Sequence, residues 1–120
     1  MSKIDKFTAA YIECALWCGV FDGDDGDADY SRTLEDLSPD TLASMVEDCA
    51  DFQNSAHELL ERSGQDCEQS GHDFWLTRNH HGAGFWDRGL GDIGDRLTEA
   101  AKNYGSCELY LGDDGKVWSA

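Results

Sequence analysis

HDFWLTRNHHGAGFWDRG (residues 72–89) determines how much sheet this chain can build. Phe74 and Leu76 on one side, Phe85 and Trp86 on the other, flank an Asn79-His80-His81-Gly82 turn. Aromatic residues suit a pleated surface and glycine supplies the turn, so the spacing predicts two short strands around a tight turn. Asp73, Arg78, Asp87 and Arg88 are then expected to pair within the hairpin. The same residues allow a second reading. His72, Arg78, Asn79, His81 and Asp87 could converge as a small-ligand site or as acid–base machinery, with Arg78 holding an anion. No nucleophile-plus-base spacing and no phosphate-cradling loop accompanies them, so an enzyme is the less favoured class.

Helical periodicity surrounds this segment. Ile4, Phe7, Tyr11, Cys14 and Cys18 recur at three- and four-residue steps, with Ala10 and Trp17 widening the stripe, and predict a helix over about residues 4–19. Ser38 suits an N-cap, Pro39 the first helical position and Asp40 the positive end of the helix dipole. From there Leu42, Met45, Val46, Cys49, Phe52, Ala56, Leu59 and Leu60 trace one apolar face up to Gly64, predicting a single rod of about 25 residues, near 37 Å. A third helix is expected over residues 90–104. Asp114-Gly115 is a hairpin turn between Leu109/Leu111 and Val117. The expectation is one α+β domain over residues 1–120, with three helices, one of them long, packed on a small antiparallel sheet of about four strands.

Charge is the other strong signal. The 120 residues carry 25 acids against nine bases, a formal charge of −16. That balance disfavours direct binding to nucleic acid, whose phosphates select Lys and Arg, and attraction to an anionic membrane. Residues 21–60 hold twelve of the acids and one base, Arg32. Asp22, Asp24, Asp25, Asp27 and Asp29 crowd one loop, and Glu35 and Asp36 precede the long helix. On that helix Asp40, Glu47, Asp51 and Glu58 fall opposite the apolar stripe, with Asp48 beside them. The row spans roughly 27 Å, with a carboxylate every 6 to 11 Å or so. A protein that normally binds DNA could read such a surface as DNA. These twelve acids are the candidate partner-binding residues, and the expected partner is a basic or DNA-binding host protein such as a nuclease.

Other chemistry finds less support. No register of the aspartate loop places oxygens and glycine as a calcium-binding loop requires. Five cysteines cannot all pair within one chain, and they show no zinc-ligand spacing. Neither metal nor cofactor is expected, and the reduced thiols and charged start MSKIDKF point to the cytoplasm.

HDFWLTRN-HGAGFWDRG-LG, with MVEDCADF before it and LTEAAKNYGS and LYLGDDGKV after it, resembles a family of small acidic proteins encoded by phages and plasmids. The likeness covers nearly the whole chain, and His80 stands where that family usually has Gly. It implies a mobile-element setting, in a bacterial host, in which antirestriction and anti-CRISPR inhibitors that mimic DNA are common. No catalytic or binding residues carry over from it.

Overall fold

A computed structural model of the chain describes residues 4–18, 20–21, 28–29, 33–79 and 84–119, with backbone alone for 20–21 and 28–29. Helix α1 (Lys6–Trp17) starts where Asp5 accepts a hydrogen bond from the Thr8 amide at 2.8 Å, satisfying one of the orphan donors of its first turn. Most of α1 is buried, including Phe7, Tyr11, Ile12, Cys14 and Leu16, so neighbours cover it on several sides. Helix α2 (Pro39–Ser55) begins as expected, with Ser38 Oγ accepting from the Thr41 amide at 3.1 Å.

The long rod is not continuous. It bends at Ala56 (φ −104°, ψ 16°), and helix α3 (His57–Ser63) follows until Gly64, which takes a left-handed conformation at φ 72°. The Ala56 amide still donates to the Phe52 carbonyl, closing α2, and the Ala56 carbonyl accepts from the Leu60 amide, opening α3. The Ser55 hydroxyl also donates to the Phe52 carbonyl, and such local competition bends helices.

The hairpin expected in residues 72–89 is not formed. Residues Cys67–Arg78 are helix α4, and Phe85–Asp87 form a single 3-10 turn. Asp66 caps α4 by accepting from the Gln69 amide at 2.7 Å. Gly71 lets α4 lie against α1, because a Cβ there would collide with the Phe7 carbonyl oxygen and touch Ala10. Helix α5 (Asp92–Lys102) is amphipathic, burying Leu97, Thr98 and Ala101. Among the described residues five α-helices therefore stand where three were expected.

Strands β3 (Leu109–Leu111) and β4 (Val117–Ser119) form the expected C-terminal hairpin, with Tyr110 opposite Trp118. Two-residue strands β1 (Val20–Phe21) and β2 (Ala28–Asp29) complete a sheet of order β2-β1-β3-β4. The sheet is mixed, since β1 runs parallel to β3. The fold is α+β, with β1 and β2 drawn from residues 20–29 rather than from the expected segment 72–89.

The core is largely aromatic. Phe52 stacks on Phe74 with centroids 4.2 Å apart and planes 9° apart, while Tyr104 meets Phe74 edge-on at 5.1 Å. Such pairs contribute about 0.5–1.5 kcal/mol beyond the area they bury. Phe7, Tyr11 and Phe85 extend the cluster, joining α1, α2, α4 and the 3-10 turn. No helix among the described residues is long and apolar enough to cross a membrane.

Candidate partner-binding surface

Arg78, at the last turn of α4, is only 5% exposed. Its guanidinium donates to Asp48 at 2.8 Å, to the Tyr11 hydroxyl at 3.0 Å, and to the Gly105 and Tyr104 carbonyls at 2.8 and 3.0 Å. It also lies over the Phe74 and Tyr104 rings. Burial opposes the charge, but Tyr11 and Asp48 outweigh it and hold the guanidinium above its ordinary pKa. Burial pushes the Tyr11 phenol far above its ordinary range. This one side chain ties α1, α2, α4 and the chain after α5 together.

Its neighbours have similar duties. Asn79 donates to the Trp75 carbonyl at 2.9 Å and accepts from the Cys107 amide at 2.7 Å. Asp73 is fully buried and accepts from Arg88 at 2.8 Å and from Gln65 and Gln69 at 3.2 and 3.1 Å. Of the four charges expected to pair within the segment, Asp73 and Arg88 do so, whereas Arg78 pairs with Asp48 of α2. His72 sits elsewhere, in an open cavity of about 390 Å³ between α1 and α4 that Lys6, Glu13 and Glu68 also line. Asp87 is exposed on the 3-10 turn, and His81 lies outside the described residues. Of the five candidate ligand residues, the structure thus commits Arg78 and Asn79 to internal bonds. His72 stands apart from them.

The acidic residues are distributed differently. Asp22, Asp24, Asp25 and Asp27 lie outside the described residues, and Asp29 is described only as backbone in β2. Asp36 caps its own turn by accepting from the Thr33 amide at 2.8 Å, and Asp48 pairs with Arg78. Asp51 accepts from the Tyr104 hydroxyl, which burial together with this carboxylate holds above the ordinary tyrosine pKa. Glu58, on α3 beyond the bend, stands 3.9 Å from Arg62. Glu35, Asp40 and Glu47 are exposed and have no hydrogen-bond or ion-pair partner among the described residues.

Glu47 and Asp51 also line a shallow open depression with Asp5, a residue the charge count alone did not single out. Burial tends to raise the Asp5 carboxyl, but hydrogen bonds from Thr8 and Gln53 prevail and hold it below the usual carboxylate range. Periodicity could not have brought Asp5 to α2, because the link is the Gln53–Asp5 bond across 48 residues of sequence.

Among the described residues no group of His, Cys, Asp and Glu could hold a metal ion. Cys49 is buried, and that burial raises its thiol and favours the neutral, unreactive form. Comparison with protein-family models, with curated proteins and with solved structures gives no match to this chain.

Proposed function

We propose that the protein is a non-enzymatic inhibitor that presents an acidic face to a basic, DNA-binding partner such as a nuclease. Asp40, Glu47 and Asp51 of α2 are its described core, and the aspartates of residues 22–29 extend it in sequence. The observation that carries this reading is the division of charge. The guanidinium of Arg78 and that of Arg88 are spent on Asp48 and Asp73, while Asp40 and Glu47 remain exposed and unpaired among the described residues. An unneutralised acidic face raises self-repulsion within the fold, and complementary charge on a partner relieves it.

Glu47 and Asp51 are about 6 Å apart along the helix, and Asp40 and Glu47 about 10 Å. Phosphates advance about 3.4 Å on a single DNA strand, so α2 alone is a sparse imitation. The resemblance to small acidic phage- and plasmid-encoded proteins supports a counter-defence setting, of antirestriction or anti-CRISPR type. The small-ligand alternative is weakened because Arg78 and Asn79 are bonded internally.

The test is retention of bacterial lysate proteins on the immobilised chain, with duplex DNA added as competitor. Under this reading, a DNA-binding protein is retained at low salt and released by DNA. Partners indifferent to both DNA and salt would sink it.

A further inference from the structure

We propose that a short amphipathic, cationic helix of a partner protein docks in the apolar groove between α1 and the 3-10 turn Leu34–Asp36. The groove holds about 370 Å³ and is walled by Ile4, Ile12, Leu16, Trp17 and Leu34, with Glu13 on its flank. Trp17 is 71% exposed and Leu34 43% exposed, although both belong to residue types that normally seek cover. Ile12, Leu16 and Trp17 recur on one side of α1. From Ala9 to Trp17 that wall runs about 12 Å, the length of two helical turns. A partner helix with large apolar side chains at three- and four-residue spacing matches it.

The occupant's class follows from enclosure and charge. A small apolar ligand is normally 70–90% or so enclosed by its site. Walls as open as Trp17 and Leu34 do not enclose one; an exposed Trp beside aliphatic side chains is instead typical of an interface anchor. A second copy of this chain would bring two charges of −16 together. Glu13 is the charged residue in the groove's described lining, and two further acids, Glu35 and Asp36, follow Leu34 directly in sequence. Apolar anchors flanked by Lys or Arg therefore complement it. The α2 carboxylates do not line the groove, so this inference and the proposed function can fail separately.

The probe is a fluorescent synthetic peptide of about 14 residues, roughly four helical turns, with leucines at three- and four-residue spacing and lysines between them. Fluorescence polarisation against the full chain should show saturable binding. Trp17→Ala and Leu34→Ser should each weaken it about tenfold, as expected for interface anchors. Glu13→Lys should weaken it as well, while the Asp40→Asn/Glu47→Gln variant binds normally. A peptide with glutamates in place of the lysines should not bind. The inference is overturned if the Leu/Lys peptide fails to bind, if the Leu/Glu peptide binds as well, or if Trp17→Ala and Leu34→Ser leave binding unchanged. It is equally overturned if Trp17→Ala changes the sedimentation of the free protein, since the groove would then belong to a second copy. Loss of binding in Asp40→Asn/Glu47→Gln alone would favour the α2 face and end the claim for the groove.

Discussion

Helix α4 turns Asp73 and Arg78 into the core, whereas α2 turns Asp40 and Glu47 toward solvent. In α4 each buried charge meets several partners, and these join segments far apart in sequence. On α2 only Asp48 belongs to such a network, and Asp51 is shared with Tyr104. The contrast separates two uses of charge. A buried, fully bonded ion specifies how helices meet, and its loss leaves partners stranded in a poorly hydrated site. An exposed, unpaired carboxylate adds little to the fold and is available to another molecule.

The sharpest way to break the contrast is at Arg78. Arg78→Met leaves Asp48, the Tyr11 hydroxyl and two carbonyls without their donor, and should cost about 3–5 kcal/mol in urea unfolding. A loss below about 1 kcal/mol would mean that the network is ornamental.

Asp73→Ala should cost less, about 1–3 kcal/mol by the same measurement, because Arg88, Gln65 and Gln69, which it strands, are all partly exposed, whereas Arg78→Met also strands the fully buried Tyr11 hydroxyl. A pH titration of stability sharpens the same point for Tyr11. Its phenol ionises far less readily when folded, so its contribution is complete below the ordinary tyrosine pKa near 10 or so, and is lost as pH climbs above that value. Tyr11→Phe should flatten that alkaline decline, and an unchanged profile would contradict the assignment. The smallest effect is expected on α2, where Asp40→Asn/Glu47→Gln should shift stability by no more than about 0.5 kcal/mol. Relief of self-repulsion is offset there by the loss of the Asp40 carboxylate from the positive end of α2.

The sequence announced these two regions unequally. Ser38-Pro39-Asp40 and the apolar stripe of α2 made its start and inward face readable, and the periodicity of α1 and α5 did the same for those helices. Asp114-Gly115 marked the C-terminal hairpin. The bend at Ala56 left no proline or glycine as a warning; its only local trace is Ser55, a residue able to compete for a helix carbonyl. α4 was hidden because Ser70, Asp73, Thr77 and Arg78 are buried beside Phe74 and Trp75, so apolar spacing does not trace its helical period. Phe74, Trp75 and Leu76 in succession then imitate a strand. The usable signal was Asp66 followed three residues later by Gln69, a helix start of the capping-box kind. As for the candidate sites, the charge count pointed to the exposed acids of α2, but residue type alone could not distinguish Arg78 the anchor from Arg78 the ligand-binder. That difference depends on burial.

The measurement that bears most directly on this division of labour pairs binding with folding in one variant, Asp40→Asn/Glu47→Gln/Asp51→Asn. The account predicts that it loses the DNA-displaceable partner retained by the parent chain at low salt, while its urea midpoint stays close to the parent's. A variant that still holds that partner, or one whose midpoint falls as Arg78→Met is expected to make it fall, would contradict the account.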